Sequence, residues 1–282
     1  MTDSKDFLHG LNRITRVKYS KVLIIGSGIW GNKLNLIFKR VFPEFEFKVF
    51  SARKFIESME SFTQEILGSD LIWIASNPSI QLRILEKLLH FESKIVLEKP
   101  AFTTKTEFLI LKNYLEHKSN VFISEAWTYS NAWMITRKTL QLNFPKQVFI
   151  RRGSNLKRSS MPSWLDWCFH DLLLIFSLGE SAIQNRSIQI ENELARIQFK
   201  YQDIDFYFEC GFMNQNEAIW KFEDYVIDFN RHLVTSNGEI EVFQEADPVA
   251  SQLEDILNSN QKSNIFEKID FLNSVLEESF LN

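Results

Sequence analysis

Three of the chain's nine glycines fall within six residues, Gly26-Ser27-Gly28-Ile29-Trp30-Gly31. That spacing suits the pyrophosphate of a dinucleotide. The first glycine permits a tight turn, the second lets the backbone approach the phosphates, and the third lets a following helix pack closely on the preceding strand. N–H groups at the start of that helix, those of Ile29 and Trp30 among them, would then hold the anion. Further along, Ser51-Ala52-Arg53-Lys54 occupies the place where an acidic residue would hold the ribose hydroxyls of NAD. A hydroxyl followed by two cations suits a 2′-phosphate better, Ser51 by donation and Arg53 by bidentate hydrogen bonding. NADP(H) is therefore the preferred cofactor and NAD(H) the second choice. A solvated loop in which Arg53 touches nothing is the competing expectation.

The elements that must position these residues follow from hydrophobic period. Residues 22–25 are a continuous apolar run, the pattern of a strand buried on both faces of a parallel sheet. Leu34, Ile37, Phe38 and Val41 recur at helical spacing until Pro43 closes the segment. Strands are then predicted at 45–50, 71–75, 95–97 and 121–123, and helices at 55–67 and 79–91. Another helix opens at the capping box of Thr104 and Glu107. This alternation predicts right-handed crossovers and a parallel sheet with helices on both sides.

The rhythm then changes. Helices are expected at 132–142 and 164–176, with longer strands over 195–212, 218–230 and 239–243. Asn237-Gly238 between two such runs is a strong hairpin signal. Helices at 249–257 and 265–278 complete the pattern. The fold class is thus α/β: a dinucleotide-binding Rossmann domain over residues 1–124, then an α+β domain over 125–282 with an open, mainly antiparallel sheet.

Past the third strand come Ser76-Asn77-Pro78 and then Glu98-Lys99-Pro100, and later Asp166-Trp167-Cys168-Phe169-His170-Asp171. In this order, after a glycine fingerprint, they resemble the glucose-fructose oxidoreductase / inositol dehydrogenase / MocA family over essentially the whole chain. The resemblance implies nicotinamide-dependent oxidation or reduction of a sugar-like substrate. It makes Lys99 the active-site lysine, turns Asp166 and His170 toward the substrate, and lines the nicotinamide with Asn77, Pro78 and Glu98. The chemistry asks for such residues: an imidazole moves the proton that accompanies hydride transfer, and Lys99 can hydrogen-bond the reacting oxygen. Asp166 and His170, four positions apart, share one helix face.

The chain departs from that family's pattern at Gln81, where several members place histidine, and at Phe169, where glycine is frequent. A biliverdin-reductase-like or imine reductase is the alternative enzyme, and a non-catalytic dinucleotide-binding regulator or scaffold the alternative of another class. Trp127, Tyr129, Trp133, Trp164 and Trp167 could stack on a sugar or fill a core. Arg151, Arg152, Lys157 and Arg158 could hold a phosphate or carboxylate, with Trp127 and Arg152 the expected substrate contacts, or form a solvated loop. Asp171 is expected to be a solvated or capping acid.

The formal net charge of −4 argues against a general nucleic-acid binder, and no apolar run approaches the length of a membrane span. The two cysteines, Cys168 and Cys210, are too few for a disulfide framework or a four-ligand zinc site, so no metal is expected. With no secretion signal at the N-terminus, a cytoplasmic homo-oligomer, dimer or tetramer, acting on a small molecule is the expectation.

Overall fold

In a computed structural model, described here for residues 20–155, 161–242, 247–259 and 263–280, the chain forms two sheets. Strand β1 (Lys21–Ile25), almost wholly buried, hands over through the glycine turn to helix α1 (Ile29–Val41), which buries Leu34, Ile37 and Phe38. Next come β2 (Glu46–Phe50), α2 (Ala52–Glu57), α3 (Thr63–Leu67), β3 (Leu71–Ile74), α4 (Pro78–Leu88), β4 (Lys94–Leu97), α5 (Lys105–Leu115) and β5 (Val121–Ile123). The five strands are all parallel, in the order β2-β1-β3-β4-β5, as the alternating pattern predicted.

Two local expectations need correction. The single helix over 55–67 is broken at Ser58, whose backbone (φ −144°, ψ 46°) is not helical, leaving α2, a 3-10 turn and α3. At α5 the Thr104 hydroxyl accepts the Glu107 N–H as a capping box requires, but the Glu107 carboxylate reaches back to Thr103 instead of Thr104.

The second half opens with α6 (Asn131–Asn143), β6 (Gln147–Ser154) and α7 (Ser163–Phe176). The strands β7 (Gln184–Glu191), β8 (Leu194–Tyr201), β9 (Ile204–Phe212), β10 (Glu217–Phe222), β11 (Tyr225–Asp228), β12 (Leu233–Ser236) and β13 (Glu239–Val242) follow. They form an eight-stranded sheet, β13-β12-β11-β10-β6-β9-β8-β7, antiparallel except where β6 pairs with β9. None of β6, β7 and β12 was among the strand ranges expected from sequence, and the long strands expected over 195–212 and 218–230 each fold back on themselves, as β8–β9 and β10–β11. Asn237 (φ 51°) and Gly238 (φ 82°) make the β12–β13 turn, both with the positive φ that a type I′ hairpin needs.

Helices α8 (Pro248–Asn258) and α9 (Ile265–Leu276) complete the described fold. Val249, Ala250, Leu253 and Ile256 of α8 pack with Val22, Ile24, Phe38 and Trp73, so this late helix covers one face of the five-stranded sheet. Lys94 fastens it by donating to the carbonyls of Ile256, Leu257 and Ser259, the end of a helix where a cation is favoured. The other face of the parallel sheet shares one continuous core with α7, α9 and the inner face of the large sheet. Among the described residues no helix is long and apolar enough to cross a membrane.

Candidate active site

The glycine turn divides its three glycines between two jobs. Gly26 has φ 137°, and a Cβ there would lie 2.0 Å from the Ala75 carbonyl oxygen; a Cβ on Gly31 would lie 1.7 Å from that of Gly26. The protein's own packing therefore demands both. Gly28 is different: its φ is −75°, and a Cβ would meet nothing within 4 Å. The backbone at Gly28 is therefore open to approach from outside the chain. Gly28 is also the N-cap of α1 and supplies no side-chain cap, so the first-turn N–H groups point at that space without a capping partner. Donor set and clearance both fit a dinucleotide pyrophosphate.

Ser51 and Arg53 sit beyond β2, on the first turn of α2 and not on a loop. Ser51 is the N-cap, yet its hydroxyl makes no cap hydrogen bond. Arg53 is 86% exposed and donates through Nε to Glu57 at 2.8 Å, a neighbour one turn on. It is thus neither without contact nor buried.

At the carboxyl ends of the same strands, β4 leads into Glu98 and a cis Lys99-Pro100 bond. The Lys99 ammonium donates to the Asp166 carboxylate at 2.9 Å, with the two side chains only 14% and 4% exposed. Asp166 lies in the first turn of α7 and His170 follows one turn later on the same face. The His170 ring stands perpendicular to Trp127 at 6.4 Å and 6.5 Å from Trp167, and Lys99 Nζ lies 5.7 Å from the Trp167 ring. Five residues singled out in sequence, Lys99, Trp127, Asp166, Trp167 and His170, thus meet in one place. The Trp167 indole N–H is buried with no protein acceptor, which leaves a donor in this cluster.

Glu98, beside Lys99, is 5% exposed. One of its carboxylate oxygens accepts both the Trp30 indole N–H at 2.6 Å and the Trp73 indole N–H at 2.8 Å. Burial raises its pKa above the ordinary carboxylate range, opposed by those two bonds and by the Lys99 charge and N–H. Gln81 Nε2 donates to the Glu98 carbonyl at 2.9 Å and, more weakly, to that of Pro100 at 3.4 Å. The residue that stands in place of a histidine is therefore a buried brace for the lysine segment. Asn77 caps α4 by accepting the Ile80 N–H at 3.1 Å, and Pro78 is its first helical residue. Phe169 is fully buried and packs edge-on against Phe102 at 5.4 Å.

The basic run is split by the pleat of β6. Arg151 faces outward, exposed, onto Glu209 and Glu217, each 3.1 Å away. Arg152 faces inward, 2% exposed, and holds Asp171 through Nε at 2.5 Å and Nη2 at 2.9 Å. Its guanidinium also lies 5.7 Å from Trp127 and 5.5 Å from Phe229. Asp171 accepts a further bond from Trp220 at 2.7 Å and has no exposed surface, which corrects its expected role as a solvated or capping acid. Lys157 and Arg158 lie outside the described residues. A separate depression of about 540 Å³ on the outer face of the large sheet, lined by Phe149, Arg151, Tyr207 and Glu209, includes none of the glycine turn, Lys99, Asp166 or His170.

A parallel dinucleotide-type sheet joined to a large, mainly antiparallel sheet defines a class of solved two-domain dehydrogenases, and this chain has their fold. UDP-N-acetylglucosamine 3-dehydrogenase from Acidithiobacillus ferrooxidans superposes with a TM-score of 0.74 at 16% identity, covering 94% of this chain and 100% of that one. A dehydrogenase from Chromobacterium violaceum gives 0.72 at 12% identity over 93% and 94% of the two chains. An oxidoreductase from Agrobacterium radiobacter, solved with NAD+, L-tartaric acid and magnesium, gives 0.68 at 13% identity over 94% and 97%. In sequence, a 147-residue stretch is 26% identical to prephenate dehydrogenase of Lactococcus lactis subsp. cremoris (strain MG1363), spanning 43% of this chain and 42% of that protein. No protein-family model matches the chain.

Proposed function

We propose that the chain is a nicotinamide-dinucleotide oxidoreductase of the glucose-fructose oxidoreductase / inositol dehydrogenase / MocA type, acting on a hydroxyl or carbonyl carbon of a sugar or sugar derivative. The observation that carries this reading is the Lys99–Asp166 pair, one helical turn from His170, on the same sheet edge as a glycine turn whose central residue keeps space clear. A bound nicotinamide would supply or accept the hydride. The rest of the chemistry falls to the chain. With a carbinol substrate giving up its hydride to that nicotinamide, the His170 imidazole would take the proton from the substrate O–H. Lys99 donates to the oxygen and stabilises its developing negative charge, in a setting that excludes most water. Asp166 holds the ammonium in place. The sugar class is supported by the UDP-N-acetylglucosamine on which the Acidithiobacillus neighbour acts and by the indoles of Trp127 and Trp167 flanking His170.

NADP(H) is preferred in this reading because Arg53 is exposed beside a Ser51 hydroxyl that caps nothing. Arg53→Ala should weaken NADPH by about tenfold and leave NADH unchanged, the size expected for one charge-assisted contact. Calorimetric titration of both cofactors checks it. Equal NADPH affinity in variant and parent would remove the preference. The outer face of the large sheet, where Phe149 is exposed and stacks on Tyr207, is the surface proposed to pair in a homo-oligomer.

A further inference from the structure

We propose that Trp30 is a positioning residue that ties the dinucleotide turn to the strand end carrying Lys99, through the carboxylate of Glu98. This inference rests on the proposed function. Trp30 belongs to the first turn of α1, so its own backbone N–H is one of the donors facing the space above Gly28. Its side chain crosses to the end of β4, where the indole N–H meets Glu98 at 2.6 Å. Trp73, inside β3, donates to the same oxygen at 2.8 Å, and Gln81 holds the Glu98 carbonyl at 2.9 Å. The carboxylate thus has a fixed position before Trp30 reaches it. Lys99, the next residue, is set on Asp166.

Packing alone does not fix the Trp30 ring, which is 36% exposed at the edge of the turn, with Lys33 Nζ 5.4 Å from its face. The hydrogen bond does. A bond from an indole N–H to a buried carboxylate belongs to the strong, charge-assisted kind. A turn held this way is ordered before ligand arrives, whereas a loose one must be ordered on binding, at a cost in affinity. Nothing in a generic glycine turn requires a large aromatic residue at this position, and the partner found for it explains why one is tolerated.

The test is a binding cycle read by calorimetry, needing no substrate. Trp30→Phe keeps the ring and removes the donor. NADPH affinity should fall about tenfold, the effect of one hydrogen bond to a charged group. Adenosine 2′-monophosphate, which has no 5′-phosphate to seat on the glycine turn, should bind the variant as it binds the parent. In a Glu98→Met background, Trp30→Phe should add less than about twofold, because the tether is already gone. Should Glu98→Met not fold, Glu98→Gln keeps the shape and a neutral acceptor, and the added loss should shrink to about threefold.

Unchanged NADPH affinity in Trp30→Phe overturns the inference. So does an equal loss for adenosine 2′-monophosphate, or a full loss persisting without the Glu98 carboxylate, since either would make Trp30 a packing residue or a direct ligand contact. A parent protein that binds no NADPH or NADH overturns the proposed function and takes the inference with it.

Discussion

Lys99→Met is expected to lower turnover of the proposed sugar-type substrate by roughly a thousandfold and to leave NADPH affinity within about twofold of the parent, the loss expected when one donor to a developing oxyanion is removed. Methionine is of similar length and carries no charge. The magnitude follows from the setting: at 14% exposure little water remains to replace the ammonium. The substitution also takes the ammonium away from Asp166, which is 4% exposed, so the fold should weaken as well. The double variant Lys99→Met with Asp166→Asn separates the two effects. It should recover thermal stability while remaining inactive. Initial rates over a panel of keto-sugars and sugar nucleotides, with melting curves for each variant, read both outcomes. A Lys99→Met protein of normal kcat would remove the lysine from the chemistry.

Asp171→Ala is expected to cost about 3–5 kcal/mol of stability, the range for breaking a buried ion pair from one side. Arg152 would keep its charge at 2% exposure with its bidentate partner gone, and the Trp220 indole would lose its acceptor. Replacing Arg152 by Met together with Asp171 by Leu should regain most of the loss, because no buried charge then remains. Urea unfolding of the single and double variants measures it. A loss below about 1 kcal/mol for Asp171→Ala would mean that the guanidinium finds water easily, against its observed burial.

The parallel half was legible because its signals are local. Continuous apolar runs mark β1, β3, β4 and β5, and glycines or caps punctuate the helices between them. The break at Ser58 was not legible, since the residues on either side keep a helical pattern and only the backbone at Ser58 departs from it. Strand β6 was hidden by its own chemistry: Val148, Ile150 and Arg152 all face inward, and an arginine at an inward position reads as surface until its aspartate is known. That aspartate lies on α7, 19 residues away.

In the site, the glycine turn could be picked out from residue types and spacing, and Lys99, Asp166 and His170 from the family resemblance; the structure brings the last three together. The Trp30 side chain could not. Its partner is 68 residues distant, and an indole beside glycines carries no sign of a carboxylate waiting across the sheet. Gln81 was marked only as a departure from a pattern. Its role as a brace for the Glu98 and Pro100 carbonyls appears once α4 is packed beside β4.

The central claim is that the space above Gly28 belongs to a dinucleotide. Calorimetric titration of NADPH into the parent and into Gly28→Ala tests it most directly, because the alanine methyl meets nothing within 4 Å in the chain itself and Gly28 has an ordinary φ of −75°. The parent should bind saturably and gain thermal stability with ligand. The variant should melt within about 1 kcal/mol of the parent and bind about a hundredfold more weakly, its methyl standing where the pyrophosphate must approach the backbone. Equal affinity in the two proteins, or no binding by the parent, would contradict the assignment.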